Sequence, residues 1–161
     1  MAKVMVIMGS ISDEAIVRPC MEVLRDLGIE YQATVCSAHR TPKMLGEILA
    51  REGEHGTQIY ICAAGMAAHL AGAVASRTLR PVIGLPLTGN SLCGMDALFS
   101  TVQMPAGFPV ATVALNGARN AAWLAAQILA LQDMDLAALL VRERKKMEAA
   151  VEKAAAQLEQ V

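Results

Sequence analysis

Short, almost wholly apolar segments alternate with helical patterns along this chain, and that alternation constrains its fold more than any other feature. Strands that are apolar on both faces are typical of parallel sheets with helices packed on either side. The predicted strands span residues 3–8, 29–36, 57–63, 81–85 and 108–115. The predicted helices span residues 13–27, 41–52, 67–78, 95–103, 118–131 and 133–158.

Right-handed crossovers between five such strands predict a flavodoxin-like, doubly wound α/β domain with three layers. The last helix follows a complete set of five strand–helix units, and it carries an apolar stripe beside a charged run from Arg142 to Lys146. We therefore expect residues 1–132 to form the single domain and residues 133–161 to form an amphipathic helix. We expect that helix to pack on a neighbouring subunit, and packing on its own domain is the alternative.

Composition limits the partners that the chain can have. Apolar residues make up 55% and charged residues 18%, against about 45–50% and about 25% in an average soluble domain. Because no segment has the character of a transmembrane helix, we expect the excess apolar surface to be buried in a homo-oligomer. A net charge of −1 provides no basic face for nucleic acid and no cationic surface for a membrane.

The location of the protein is predicted from its N-terminus and its cysteines. The first apolar run is too short for a signal peptide. The cysteines show no CxxC spacing, which favours a reduced, cytoplasmic setting in which each is a buried packing residue. They are Cys20, Cys36, Cys62 and Cys93.

Ligands of doubly wound folds bind beyond the carboxyl ends of the strands. The first such loop is MGSISDE, residues 8–14. Gly9 allows close approach of a ligand to the backbone, and Ser10 and Ser12 offer hydroxyls and amides near a helix N-terminus that favours anions. Asp13 would accept hydrogen bonds from sugar hydroxyls. The alternative is that Ser12 or Asp13 simply caps the helix.

The second loop is SAHRTP, residues 37–42. Its Thr-Pro pair predicts the N-cap and first position of a helix, which leaves Ser37, Ala38, His39 and Arg40 at the carboxyl edge. Arg40 can hold a phosphate or carboxylate with its planar fork. His39 can exchange protons near neutral pH. The alternative is a solvated surface pair.

The third and fourth loops complete this edge. AAGMAAHLAG, residues 63–72, brings glycines and His69 to a turn, although a packed histidine is the alternative there. Residues 86–107 are polar and rich in glycine, which is typical of a binding segment or lid. His55 lies at the opposite edge and is predicted to be a surface residue. No metal-ligand spacing, catalytic triad or carboxylate pair is evident, so the loops favour proton transfer without a cofactor on a small anionic, sugar-like ligand.

Together, MGSISD, SAHRTP, AAHLAG and DALFSTVQMPAGFPVATVALNGARNAAWLAAQIL resemble the N5-carboxyaminoimidazole ribonucleotide mutases of purine biosynthesis, the class I PurE family. The resemblance extends from Val4 to Leu131. It implies a cofactor-free, metal-free mutase that moves a carboxylate from the exocyclic amine of an imidazole ribonucleotide to a ring carbon. It also implies a flavodoxin-like subunit in a homo-octamer, with the C-terminal helix reaching a neighbour.

The same resemblance implies residue roles. His39 matches the catalytic general acid/base and His69 a second active-site histidine, while Ser10, Asp13 and Arg40 match nucleotide-binding positions. The remaining substrate-binding residues that we expect at these loops are Gly9, Ser12, Ser37, Ala38, Ala64, Gly65 and Leu70.

Two residues depart from the family pattern, and three rival functions remain. Met66 and Ala71 replace the second glycine and the proline of the more usual family sequence GGAAHLPG. Met66 would therefore alter loop closure if the backbone freedom of that glycine is needed. The related carboxylases, which use free carbon dioxide, lack the histidine at position 69, so His69 favours the mutase. A non-catalytic nucleotide-binding module is a rival on the same fold, and a flavin carrier is disfavoured by the few aromatic residues.

Overall fold

The computed structural model describes residues 2–89 and 92–158. Its five strands form one parallel sheet in the order β2-β1-β3-β4-β5. The strands are β1 (Val4–Met8), β2 (Tyr31–Val35), β3 (Ile59–Gly65), β4 (Val82–Leu87) and β5 (Ala111–Thr112). The helices are α1 (Glu14–Asp26), α2 (Pro42–Glu54), α3 (Leu70–Ala75), α4 (Met95–Val102), α5 (Ala118–Ala130) and α6 (Met134–Leu158). This strand order confirms the predicted flavodoxin-like fold.

The centre of the sheet explains why the apolar runs become strands. Every residue of β1 and β4 is buried, as are the first five residues of β3. On one face, α2 and α3 pack against the sheet in a single apolar cluster; its members include Met5, Ile7, Leu45, Ile48, Tyr60, Cys62, Leu70 and Val74. Burying side chains on both faces of a strand stabilises it by about 1.5–3 kcal/mol for each large aliphatic residue.

The edges of the sheet depart from the sequence prediction. The expected buried strand at residues 29–36 is wrong in its burial, because β2 lies at one edge and exposes Gln32 and Ala33. At the other edge, β5 pairs through only Ala111 and Thr112 instead of the eight predicted residues. Edge strands lack a neighbour on one side, so an apolar run there does not have to be fully paired or covered.

The chain separates into two compact units, one up to Ala125 and the other from Ala126 onward. The second unit contains the end of α5 and all of α6. Asp133 Oδ1 accepts the N–H of Leu136 at 3.0 Å and so satisfies a donor at the start of α6. Within the described residues, no helix combines the length and apolar character that spanning a membrane would need.

One of the four cysteine predictions is wrong. Cys20, Cys36 and Cys62 are buried, and burial raises the pKa of the Cys20 thiol to about 12. Cys93 is exposed instead. It has a left-handed φ of +51° and lies in the turn before α4.

Candidate active site

The predicted site loops all leave the same edge of the sheet. Met8, at the end of β1, is in register with Val35 of β2 and Ala63 of β3. Because β1 has β2 on one side and β3 on the other, the chain crosses over in opposite directions at this point. The loops after β1, β2 and β3 therefore surround the switch point at which such folds bind ligands.

The loop after β1 is organised by a capping box. The Ser10 hydroxyl accepts the Ser12 N–H at 3.3 Å, and Asp13 Oδ2 accepts the Ser10 N–H at 3.0 Å. The Ser12 hydroxyl also lies 2.9 Å from that of Ser10. The capping alternative is thus correct in part, with Ser10 rather than Ser12 as the capping residue of a short 3-10 helix at Ile11–Asp13.

Asp13 is half-buried beside this turn. Burial raises the pKa of its carboxyl, while the Ser10 and Ser12 hydrogen bonds and the charge of Arg40 oppose the rise. A carboxylate that has lost water contacts on burial is stabilised in its charged form by each additional hydrogen-bond donor. Asp13 can therefore accept hydroxyl groups of a ligand.

The loop after β2 brings Arg40 back to the loop after β1. One guanidinium nitrogen of Arg40 donates to the carbonyl oxygen of Gly9 at 3.3 Å, and Nε donates to the Ser37 hydroxyl at 3.4 Å. Both contacts are long, and Arg40 is exposed, so the fork is open to an anion.

Thr41 differs from its predicted role. It stands at the N-cap of α2 and Pro42 occupies the first helical position, as expected, but the Thr41 side chain makes no bond to the helix. Its hydroxyl instead donates to the carbonyl of Ser37 at 3.0 Å and accepts the Ser37 N–H at 3.0 Å. Thr41 thereby closes the turn that carries His39.

The two histidines of the carboxyl edge meet across 30 positions of sequence. His39 Nε2 lies 2.8 Å from His69 Nδ1, and the two rings are nearly perpendicular, at 87°. Both side chains are exposed, so the packed-histidine alternative for His69 is wrong. Since a hydrogen bond needs one hydrogen and one lone pair, one nitrogen of this pair is a donor and the other an acceptor.

A compact turn places His69. The Ala68 N–H donates to the Met66 carbonyl at 2.8 Å, and the His69 N–H donates to the Ala67 carbonyl at 2.8 Å. Because these bonds occupy residues 66–69, α3 begins at Leu70, three residues later than predicted, with His69 at its N-cap. Met66 has a left-handed φ of +56°, a conformation that favours glycine.

The other expected substrate-binding residues are small or lie beside this turn. Ala38, Ala64 and Gly65 are half-buried, and Leu70 is buried in the first turn of α3. A Cβ on Gly65 would lie 3.5 Å from the Leu87 carbonyl, and one on Gly9 would lie 3.6 Å from Ala64 Cβ. The ends of β1, β3 and β4 therefore lie close together, and only small side chains cover their backbones.

The sequence did not single out a link between the loops after β4 and β5. Asn116 Oδ1 accepts the Thr88 N–H at 3.0 Å, and Asn116 Nδ2 donates to the Thr88 hydroxyl at 2.8 Å. The Asn-Gly pair at residues 116–117 is a turn signal that could have drawn attention to it. Part of the fourth loop, residues 90–91, lies outside the described residues.

His55 and a cavity away from these loops take no part in the candidate site. His55 ends α2 and is exposed, as predicted for a surface residue. A cavity of about 680 Å³ lies between residues 75–82 and 107–111, at the amino ends of β4 and β5, and contains none of the predicted site residues. We assign the site to the opposite edge, because the histidine pair, Arg40 and Asp13 converge there. Among the described residues, no three His, Cys, Asp or Glu side chains are grouped as metal ligands would be.

Comparisons with known proteins agree on one family. A family model described as AIR carboxylase matches residues 3–150. The N5-carboxyaminoimidazole ribonucleotide mutase of Thermotoga maritima is 45% identical over 161 residues, covering 100% of this chain and 94% of the relative. The proteins of the same name from Saccharolobus solfataricus and Escherichia coli K12 are 50% and 47% identical, each over 137 residues. They cover 85% and 84% of this chain and 87% and 81% of the relatives.

Two solved structures have the same fold throughout. The crystal structure of a single-residue variant of Treponema denticola PurE2 has a TM-score of 0.85 at 29% identity, and covers 98% of this chain and 96% of that one. The structure of Treponema denticola PurE has a TM-score of 0.82 at 31% identity, with coverage of 93% and 92%.

Proposed function

Because the chain belongs to the AIR carboxylase family, we propose that it converts N5-carboxyaminoimidazole ribonucleotide into 4-carboxy-5-aminoimidazole ribonucleotide, a step of purine biosynthesis. Its curated relatives bear the name of that mutase at 44–50% identity. The observation in this chain that most supports the proposed reaction is the contact between His39 and His69. The loops that hold these residues contain the motifs SAHRTP and AAHLAG.

In the proposed reaction, His39 acts first as an acid and then as a base. It protonates the exocyclic nitrogen as the nitrogen–carboxylate bond breaks, which releases carbon dioxide beside the imidazole ring. The ring carbon then attacks carbon dioxide and forms the new carbon–carbon bond. His39 finally removes the proton from that carbon, so the ring regains its aromaticity and no proton is gained or lost overall.

His69 supports both steps through the tautomer of His39. The pair carries one extra proton before the acid step, and His69 Nδ1 donates to His39 Nε2. As the hydrogen on His39 Nδ1 passes to the substrate, His39 Nε2 takes the hydrogen of His69 Nδ1, so both rings end neutral. His39 Nε2 then donates to His69 Nδ1, and the lone pair on His39 Nδ1 removes the ring proton, which reverses the exchange. The 2.8 Å contact between the rings supports such an exchange.

The remaining loops bind the ribonucleotide. Arg40 would hold the phosphate with its open fork, together with the hydroxyls of Ser10, Ser12 and Ser37. Asp13 would accept the ribose hydroxyls. The small residues Gly9, Ala38, Ala64 and Gly65 would let the imidazole approach the strand ends, with Leu70 beside it.

The proposed enzyme needs no cofactor, acts in the cytoplasm and assembles as a homo-octamer, with residues 133–161 packing on a neighbouring subunit. In support, α6 exposes Val151 by 70% and Leu158 by 77%, which is a large apolar exposure for one helix face. Val151→Glu is expected to lower the mass of the assembly measured by light scattering. Ala149→Glu, on the opposite face of α6, is the matched control, and an unchanged mass for both would contradict the packing.

A paired turnover assay tests the activity. One sample contains the N-carboxylated ribonucleotide without added bicarbonate, and the other contains the uncarboxylated ribonucleotide with saturating carbon dioxide. Both are followed by formation of the carbon-carboxylated product. Fast conversion in the first sample and poor conversion in the second is the expected result.

The rival activity is carboxylation of the aminoimidazole ribonucleotide with free carbon dioxide, which the description of the matching family model favours. It predicts the reverse result in the paired assay. A non-catalytic nucleotide-binding module would convert neither substrate, although it would still bind the ribonucleotide.

A further inference from the structure

The Thr41 hydroxyl makes its full set of hydrogen bonds inside the protein, although the residue is exposed. It donates to the Ser37 carbonyl at 3.0 Å and accepts the Ser37 N–H at 3.0 Å. Cys36 Sγ lies 3.5 Å from it, within reach of its second lone pair. Because a hydroxyl has one hydrogen and two lone pairs, this one has no capacity left for a substrate group.

These bonds leave the start of α2 without a side-chain cap. A threonine at the N-cap position usually accepts an N–H of the first helical turn and so stabilises the helix. Thr41 occupies that position without making such a bond. The hydroxyl therefore stabilises the turn of residues 37–41 instead of the helix that follows it.

The turn of residues 37–41 is closed by three bonds between its first and last residues. Besides the two hydroxyl bonds, the Thr41 N–H donates to the Ser37 carbonyl at 2.9 Å. The strand before the turn is anchored as well, because the Cys36 N–H donates to the Met8 carbonyl of β1 at 2.8 Å. His39 lies within this closed turn, so the bonds restrict the backbone that carries its ring.

The two functional side chains of the turn differ in their other supports. Arg40 donates to the Gly9 carbonyl at 3.3 Å and, through its N–H and Nε, to the Ser37 hydroxyl at 3.2 and 3.4 Å. Among the described residues, the His39 side chain has one hydrogen bond, to the other histidine of the pair. Loss of the Thr41 hydroxyl would therefore release His39 more than Arg40.

We propose that Thr41 is a positioning residue, whose hydroxyl holds the His39 ring at the distance from His69 that proton exchange requires. This inference rests on the proposed mutase function, in which His39 gives up a proton and then takes one back. A displacement of about 1 Å in a reacting group can lower a rate by about 100-fold. Thr41 should therefore affect the rate of the reaction and not the binding of the substrate.

Two substitutions separate the hydroxyl from the shape of the side chain. Thr41→Val preserves the shape and removes both hydroxyl bonds, so kcat should fall by about 10- to 100-fold. KM should change by less than about threefold, because Arg40 retains its own bonds. Thr41→Ser retains the hydroxyl and should restore kcat to within about threefold of the wild type.

A double-mutant cycle shows whether Thr41 acts through the histidine pair. In a His69→Ala background His39 has no second ring to align with, so Thr41→Val should lower kcat by less than about twofold there. Single-turnover formation of product by the full-length protein measures the slow variants. Thr78→Val is the matched control, because the Thr78 hydroxyl accepts the Arg80 N–H at 3.1 Å in a turn at the opposite edge of the sheet. It should leave kcat unchanged.

Each outcome decides one point. A wild-type kcat in Thr41→Val, or an equal loss in Thr41→Val and Thr41→Ser, would overturn the role of the hydroxyl. An equal loss of kcat in both His69 backgrounds would overturn its action through the pair. Thr41→Ala removes the same hydroxyl and replaces Thr41→Val if circular dichroism shows that the latter is unfolded. Absence of turnover in the wild type would instead refute the proposed function itself.

Discussion

His39 Nε2 lies 2.8 Å from His69 Nδ1, although 30 positions of sequence separate the two residues. The contact ties the turn after β2 to the turn after β3, across the strand β1 that lies between them in the sheet. It also makes the two imidazoles one chemical unit, because a hydrogen on one of these nitrogens requires a lone pair on the other.

Replacement of His39 should remove turnover without removing the fold. In His39→Gln the side-chain amide reaches the position of Nε2 and can still bond to His69, but it cannot carry a proton between two atoms of the substrate. We expect kcat to fall by about 10²–10⁴, with an unchanged circular dichroism spectrum and assembly mass. His55→Gln, at the exposed end of α2, is the matched control. A His39→Gln enzyme with most of its activity would exclude His39 as the acid and base.

Replacement of His69 separates positioning from proton exchange. In His69→Asn the amide occupies the place of Nδ1 and can still hold His39, whereas His69→Ala leaves His39 without its partner. Because the proposed exchange passes a proton between the two rings, we expect kcat to fall equally in both variants. A kcat roughly tenfold higher in Asn than in Ala, the effect of about 1.4 kcal/mol of lost hydrogen bonding, would instead show that His69 only positions His39. Steady-state kcat and KM of the two variants provide the comparison.

The charged Asp13 side chain should destabilise the folded protein at neutral pH. Burial raises the pKa of its carboxyl above the ordinary 3.8, so the folded protein binds this proton more tightly than the unfolded chain does. Its contribution is therefore favourable below about pH 4 and is lost as the pH rises through the folded pKa. Asp13→Asn should accordingly melt at the same temperature as the wild type or higher at pH 7.

The same substitution should weaken ligand binding, because the neutral amide is a poorer acceptor for ribose hydroxyls than a carboxylate. We expect a raised KM for the ribonucleotide at pH 7, and a gain in melting temperature that shrinks toward pH 4. Asp26→Asn, at the exposed end of α1, is the control for a change of charge alone. A large loss of stability in Asp13→Asn at pH 7 would show that the capping hydrogen bond from Ser10 to Asp13 outweighs the cost of burying the carboxylate.

The central strands could be predicted from the sequence because positions buried on both faces of a sheet require apolar residues. β1 and β4 are apolar at every position, and such runs are typical of strands covered on both faces. The edges were less predictable. The apolar run that contains Phe108 and Val110 looks like a full strand, yet only two residues of it pair, since pairing at an edge depends on the neighbouring strand and not on composition.

The sequence indicated at which edge of the sheet the candidate residues lie, but not which of them contact one another. His39, Arg40 and Asp13 follow strand ends, and the carboxyl edge is where a doubly wound fold binds ligands. The contacts of His39 with His69 and of Thr88 with Asn116 join different loops, so they depend on strand order and turn geometry. The left-handed backbone of Met66 could be suspected only because a glycine is usual there in the resembling family.

Two glycine substitutions should show how tightly α4 is packed on the sheet. A Cβ on Gly84, in β4, would collide with Thr101 of α4 and lie 2.8 Å from Val110 Cγ1. Gly84→Ala should therefore reduce the free energy of unfolding by about 1–3 kcal/mol, the usual effect of overpacking a core. A Cβ on Gly46, inside α2, would meet nothing within 4 Å, so Gly46→Ala should raise stability by about 0.5–1 kcal/mol through helix propensity. Urea unfolding followed by circular dichroism measures both. A midpoint for Gly84→Ala equal to that of the wild type would mean that Thr101 and Val110 can move aside.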